Sequence, residues 1–301
     1  MTQQPAGEVT RAYSWVLAAR PKTLTAALTP VVVGTALATH DGVLAWLPAL
    51  AALVGATLIQ IGTNFANDYY DFVRGGDTAD RVGPVRVTQA GILAPEAVKR
   101  GMWTVLAAAL FVGIYLVWVG GWPIVWIGLS SLACAVLYTG GSYPLAYHGL
   151  GDLFVFVFFG LVAVSGTYYV QGLSWPPDVF LAGAALGALN TAILVANNLR
   201  DIETDERVGK RTLAVRIGTR GSQLQYFALL LVAFVVPVVG WRMCGWPVAS
   251  LAALLVAPLC IAPGRRVLMH TDPAELLPVL GETARVVGIY GLLLGLGLVL
   301  G

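Results

Sequence analysis

Long apolar runs, separated by short polar stretches, follow one another along the chain. Nine of them have the length and character of membrane-crossing helices: Leu24–Thr39, Val43–Phe65, Met102–Val119, Trp122–Thr139, Leu153–Gln171, Val179–Ala196, Leu224–Trp241, Pro247–Ala262 and Ala284–Leu300. A helix that spans a bilayer needs about 20 predominantly apolar residues. The pattern predicts an all-α integral membrane protein with nine transmembrane helices in one bundle. No low-complexity linker or soluble-domain boundary interrupts it, so residues 1–301 read as a single domain, with 1–19 an N-terminal cytoplasmic segment.

The polar residues between the runs are sorted by side. Connections after the first, third, fifth and seventh runs carry one basic residue, Arg242; the other 17 of the 18 Lys and Arg lie on the opposite side. Basic residues mark cytoplasmic loops, which places the N-terminus inside and, with an odd number of crossings, the C-terminus outside. The acids sort the same way, with only Asp41 and Asp178 on the outer side. Acids contribute little to orientation, so their clustering requires another cause.

Composition agrees with the pattern. Of 301 residues, 57% are hydrophobic and 11% charged, against roughly 25% charged in ordinary soluble domains. The net charge of +2 gives no reason to expect a nucleic-acid partner. Cys134, Cys244 and Cys260 sit in apolar runs without metal or disulfide spacing and read as small buried hydrophobes. Met1–Ala19 has no apolar core followed by a cleavage site, so insertion is expected to rely on the first span.

Two acidic clusters stand out. The first is Asn64-Phe-Ala-Asn67-Asp68-Tyr-Tyr-Asp71, followed by Asp77 and Asp80; the second is Asn197-Asn198-Leu-Arg200-Asp201-Ile-Glu203-Thr-Asp205. If the helices run on past the membrane edge, Asn64, Asp68 and Asp71 share one face, as do Asn197, Asp201 and Asp205. Stacked carboxylates repel unless a cation lies between them. Mg²⁺ takes one or two carboxylates together with phosphate oxygens and water. Two such faces at one membrane surface therefore suit a diphosphate carrying Mg²⁺. Asp68, Asp71, Asp201 and Asp205 are the expected catalytic and metal-holding set; either Asp77 or Asp80 completes the first cluster.

Basic and aromatic residues flank these acids. Arg216, Arg220, Arg265 and Arg266 read as topology charges. Arg81, Arg86, Lys210 and Arg211 lie among the acids and fit either topology or diphosphate binding, for which Arg offers bidentate donors. Arg200 lies inside the second cluster. Arg20-Pro-Lys22 is either a membrane-edge anchor or a contact for an anionic group. The loop Tyr138–Asp152 holds Tyr138, Tyr143 and Tyr147, which fit an interfacial belt or a lid whose rings stabilise a carbocation. Asn64, Asn67 and Asn197 add neutral polar contacts to the substrate.

These stretches resemble the UbiA superfamily of intramembrane prenyltransferases, and within it the menaquinone branch. The resemblance rests on Ala19–Pro30, Gln60–Phe72, Gly83-Pro-Val-Arg86, Asn197–Asp205 and Gly209–Leu213. In the common superfamily pattern a third Asp follows at position 75; here it is displaced to Asp77. The resemblance implies a nine-helix fold with its site at the cytoplasmic face of a bacterial inner membrane, and Mg²⁺ as cofactor. It implies transfer of a polyprenyl group from its diphosphate to 1,4-dihydroxy-2-naphthoate, with loss of CO₂. Another aromatic acceptor, such as 4-hydroxybenzoate, is the alternative within the superfamily. A secondary transporter is less favoured, because transport places charges near the midplane. Phospholipid-type phosphotransferases pack both Asp pairs into one short segment, unlike these clusters.

Overall fold

The computed structural model describes residues 10–76, 83 and 85–301. Among these every regular element is a helix. In chain order they are α1 (Arg11–Ala19), α2 (Pro21–His40), α3 (Trp46–Val73), α4 (Pro95–Gly120), α5 (Trp122–Leu137), α6 (Gly151–Gly172), α7 (Pro177–Arg200), α8 (Ile202–Arg207), α9 (Leu213–Met243), α10 (Val248–Met269) and α11 (Pro273–Leu300). Helices suit an apolar medium because each satisfies its own backbone polar groups. Proline at the first or second position opens α2, α4, α5, α7 and α11. There its fixed φ favours the helix and its missing N–H costs nothing.

Eight of these helices are long and apolar enough to cross a membrane. The ninth expected span, α5, has 16 residues, or about 24 Å at helical rise, against a hydrocarbon core of about 30 Å. It nevertheless joins the two ends of the bundle. Gly120, just before it, accepts a hydrogen bond from Tyr169 near the end of α6, and Thr139, just after it, bonds to Asn67 near the end of α3. Several spans are longer than the apolar runs that announced them: α3 continues to Val73, and α4, α9 and α11 begin at 95, 213 and 273. Hydropathy falls at the first charged residues, whereas helical hydrogen bonding continues through them.

Two packed cores support the two clusters. Ala18, Phe65, Ala66, Val98, Met102, Leu106 and Ala135 form a smaller core beneath α3 with α1, α4 and α5. Leu37, Leu186, Leu189, Leu230, Val256, Tyr290 and Leu294 belong to a larger core that encloses α7 with α2, α9, α10 and α11. Contact between α6 and α7 is close: a Cβ on Gly160 or Gly187 would meet backbone atoms at 2.4 or 2.5 Å. In the first of these stretches α6 widens into a π turn over Val157–Val162. Kinking of α9 at Gly218, whose φ of 69° is outside helical space, turns its first residues toward the cluster end.

The exterior is apolar. Trp46, Trp118 and Trp122 are strongly exposed and lie at the helix ends opposite the clusters, where interfacial aromatics are expected. The two acids at that end are structural ties: Asp41 accepts from Tyr168 Oη at 2.5 Å and Asp178 from Trp246 Nε1 at 2.8 Å.

Candidate active site

The C-terminal end of α3 carries the first cluster on a continuous helix. Asn64, Asp68 and Asp71 are all buried, as their spacing predicts. Asn64 donates to Ala19 O at 2.8 Å and to Thr23 Oγ1 at 2.9 Å, tying α3 to the start of α2. Asp68 accepts from the backbone N–H groups of Val87 and Thr88 at 3.2 and 2.9 Å, and Arg20 Nη2 lies 3.5 Å from its Oδ2. Arg20 occupies the junction of α1 and α2 with φ +50°, a conformation uncommon outside glycine. Strain of this kind persists where the surroundings hold it in place. Asp71 accepts from Arg86 Nη2 at 3.1 Å and Tyr147 Oη at 3.0 Å. Asn67 Oδ1 accepts from Thr139 Oγ1 at 3.0 Å.

The second cluster departs from its expected regularity. Helix α7 ends at Arg200, Asp201 takes φ −96° and ψ 9°, and the short α8 follows. Asn197, Asp201 and Asp205 therefore do not form one uninterrupted helical face. Arg200 Nε and Nη2 grip the two carboxylate oxygens of Asp201, both at 2.6 Å, and Nη2 also donates to Asn197 Oδ1 at 2.9 Å. The Arg200 side chain is fully buried and that of Asp201 is nearly so. Such a pair is held by its geometry, because removing either partner strands a buried charge. Asp205 Oδ1 lies 3.2 Å from Lys210 Nζ, while its buried Oδ2 meets no hydrogen-bond donor among the described residues. Burial raises the Asp205 pKa, Lys210 opposes that shift, and the charges of Asp201 and Asp71 add to it.

Tyr147 joins the halves. Its hydroxyl donates to Asp71, its carbonyl accepts from Arg211 N at 3.0 Å, and Arg74 and Lys210 lie 5.7 Å from its ring centre. Arg74 also donates to the carbonyls of Thr139 and Gly141. The aromatic loop is thus strapped across the ends of α3 and α7.

Between the two clusters lies a polar cavity of about 240 Å³, lined by Arg20, Asn64, Asn67, Asp71, Arg86 and Lys210, with Tyr138, Asn197 and Asn198. An apolar cavity of about 360 Å³ between α3, α4, α5 and α6 adjoins it. Gln60, Tyr138, Val155 and Phe159 line both. The two adjoining cavities thus set a charged head beside an apolar body.

Not every expected residue reaches this space. Asp68, Arg200, Asp201 and Asp205 stand behind its wall, so Asp71 alone of the four expected metal-holding aspartates lines it. Lys22 and Arg211 are exposed and off the cavity. Tyr143 is also exposed and stacks on His148 with ring centres 3.6 Å apart; Tyr147 takes the bridging place in the loop. Asp77, Asp80 and Arg81 lie outside the described residues. Asp152 and Asn190, which line the cavity, were absent from the sequence expectation. A signal for each exists: Asp152 is an acid at the start of an apolar span, and Asn190 stands seven residues before Asn197, on the same helix face.

No group of three acids converges on one point among the described residues. That arrangement fits Mg²⁺, which keeps water and phosphate oxygens in its shell and takes few protein carboxylates. The hard oxygens such an ion takes are present at Asp71, which faces the cavity, and at the unpartnered Oδ2 of Asp205 just behind its wall.

Family comparison agrees with this architecture. Residues 27–280 match the UbiA prenyltransferase family. The chain belongs to that family. It is 43% identical to the 1,4-dihydroxy-2-naphthoate octaprenyltransferase of Mycobacterium tuberculosis, over 92% of this chain and 94% of the relative. The enzyme of the same name from Escherichia coli is 38% identical, over 100% of this chain and 98% of the relative. A UbiA homologue from Archaeoglobus fulgidus, solved bound to GPP and Mg²⁺, superposes with a TM-score of 0.65 at 14% identity, covering 93% of this chain and 99% of that one. The apo structure of a UbiA homologue from Aeropyrum pernix K1 gives 0.67 at 16% identity, covering 90% and 97%. These structures share the fold, an all-helical UbiA membrane bundle, and the chain is a multi-pass membrane protein.

Proposed function

We propose that the protein transfers a polyprenyl group from a polyprenyl diphosphate to 1,4-dihydroxy-2-naphthoate, releasing diphosphate and CO₂ and yielding the reduced, hydroquinone form of demethylmenaquinone. The observation that carries this reading is the adjoining pair of cavities: a cation-lined head between two acid clusters shares a wall with an apolar body. A prenyl diphosphate has that same division. Relatives that carry the dihydroxynaphthoate name over nearly the whole chain support the acceptor. Residues 1–301 act as one domain in this reading.

Asp71 would hold Mg²⁺ on the diphosphate from the cavity wall, joined by Asp205 once Lys210 turns from it to the phosphate, with Asp68 and Asp201 behind them. When bound, the metal neutralises charge that develops on the leaving diphosphate. Arg20, Arg86 and Lys210, now paired with Asp68, Asp71 and Asp205, exchange these partners for phosphate oxygens. Ionic partners thus become donors aimed at the leaving group, where preorganised charge lowers the barrier most. Asn64, Asn67 and Asn197 fix the polar rim. Tyr138, where the two cavities meet, presents its ring to the allylic carbon as positive charge develops there. The apolar body keeps water from that carbon.

The site faces the cytoplasm of a bacterial inner membrane, with the N-terminus inside and the C-terminus outside. In this reading α5 is the short ninth crossing, since without it the basic loops would fall on both faces. Purified protein supplied with a polyprenyl diphosphate, Mg²⁺ and either dihydroxynaphthoate or 4-hydroxybenzoate tests the assignment. Prenylation with CO₂ release from the naphthoate alone is expected. Turnover of 4-hydroxybenzoate alone would move the protein to another branch of the family.

A further inference from the structure

One buried acid in the polar cavity has no part in the scheme above. Asp152, the second residue of α6, lines the cavity and is 6% exposed. Its Oδ1 accepts from Gln225 Nε2 on α9 at 3.0 Å, but its Oδ2 is buried without a donor among the described residues. Asn190 on α7, 3% exposed, repeats the arrangement. Its Nδ2 donates to Ala26 O at 3.1 Å and Phe159 O at 3.0 Å, leaving Oδ1 buried and without a donor. Phe159 lies inside the π turn of α6, where the ordinary helical hydrogen-bond ladder is interrupted.

Buried acceptors without donors are costly, and here three line one cavity: Asp152 Oδ2, Asn190 Oδ1 and Gln60 Oε1. A diphosphate brings no donor to satisfy them at neutral pH. A dihydroxy aromatic ring brings two. We infer that Asp152 is the catalytic base for the aromatic acceptor, with its Oδ2 on the hydroxyl ortho to the attacked carbon and Asn190 Oδ1 receiving a hydroxyl of the same ring. The inference rests on the aromatic-acceptor reading and extends it by placing the acceptor at the α6–α7 wall.

The step balances. As the allylic C–O bond breaks, its electron pair leaves with the diphosphate. The ring carbon that bears the carboxylate forms the new C–C bond, the ortho hydroxyl gives its proton to Asp152, and its O–H pair becomes a carbonyl π bond. The carboxylate is now β to a ketone. Its bond to the ring breaks, CO₂ departs, and the released pair restores the aromatic ring as an enolate. That oxygen recovers the proton from Asp152. No net proton and no oxidant are consumed. The groups around Asp152 leave it free to act this way: Gln225 on α9 and Thr191 on α7 are neutral, and the titratable group that senses it is Tyr138, beyond the end of α5.

Full-length protein carrying Asp152→Asn tests the inference, because this change keeps the shape and the Oδ1 acceptor for Gln225. The expected result is a fall in kcat of about 100-fold or more, the scale of general-base catalysis, with prenyl diphosphate affinity within about twofold of wild type. The deficit should shrink as pH rises toward ionisation of the acceptor hydroxyl, near 10 for a simple phenol. A kcat within about threefold of wild type, or an equal deficit at every pH, overturns it. If Asp152→Asn melts below wild type, Asp152→Glu decides: it keeps the charge but displaces the accepting oxygen. About a tenfold lower kcat at unchanged prenyl diphosphate affinity is expected, and wild-type kcat overturns the inference. A wild-type protein inactive on the ring acceptor defeats the functional reading itself, whereas an active wild type with a normal Asp152→Asn defeats only this step.

Discussion

The two acidic clusters look alike in composition but are built differently. On α3 a single uninterrupted helix delivers Asn64, Asp68 and Asp71, and their partners come from elsewhere in the chain: Val87, Thr88, Arg86, Arg20 and Tyr147. At the end of α7 the helix stops, and Asp201 is gripped by its own neighbour, Arg200. The first cluster is thus assembled by tertiary contacts that a bound diphosphate can redistribute. The second contains one locked ion pair and, at Asp205, a carboxylate held by Lys210 through Oδ1 with its Oδ2 open. The first is suited to rearrange on binding, whereas in the second the Arg200–Asp201 pair is suited to stay fixed as a reference point.

The largest expected effects fall on both clusters alike. Asp68→Ala and Asp201→Ala should each abolish detectable turnover in protein that still folds in the membrane, although Asp201→Ala is destabilised by the stranded Arg200, at the upper end of the about 100- to 1000-fold loss typical when a charge-stabilising group is removed. Near-wild-type turnover in either variant would show that its cluster is not part of the site.

Stability should separate the clusters more clearly. Arg200→Leu leaves the Asp201 carboxylate buried without its bidentate partner, a cost of about 3–5 kcal/mol for a buried pair, seen as a large drop in melting temperature. Tyr147→Phe removes one hydrogen bond from Asp71, which keeps Arg86, and should cost only about 1 kcal/mol. Equal losses in the two variants would erase the distinction between a locked and a rearrangeable cluster.

Much of this was legible in the sequence. Helical spacing placed Asn64, Asp68 and Asp71 on one face because α3 runs straight through them. The same reasoning failed on the second cluster, which looked the more regular. No proline or glycine marks the break at Asp201; it accompanies the Arg200 clamp and the return of the chain through Lys210. The loop tyrosines could not be ranked from composition, because turn geometry sends Tyr147 to Asp71 and Tyr143 to His148. Asp152 and Asn190 passed unnoticed as isolated polar residues, since only the π turn and the packing of α9 reveal which oxygens they leave open.

A smaller effect concerns pH. Burial raises the Asp205 pKa above its ordinary value of 3.8, so the folded protein retains this proton at a pH where the unfolded chain has lost it. Between those two pKa values stability through Asp205 increases as pH falls, because there the folded state binds more protons. Metal-dependent diphosphate binding runs the other way, since a protonated Asp205 cannot ligate. Affinity measured from neutral pH downward should weaken earlier in wild type than in Asp205→Asn, which has no proton to gain; parallel curves would remove Asp205 from the binding set.

In the proposed scheme both clusters serve one diphosphate. A double-mutant cycle of Asp71→Asn and Asp205→Asn, read as binding of a prenyl diphosphate in the presence of Mg²⁺, tests it most directly. Residues that share a ligand couple, whereas independent sites add to within about 0.3–0.5 kcal/mol. Strong coupling is expected, with the double variant little worse than the weaker single one. Additive losses would contradict it and divide the clusters into two separate sites.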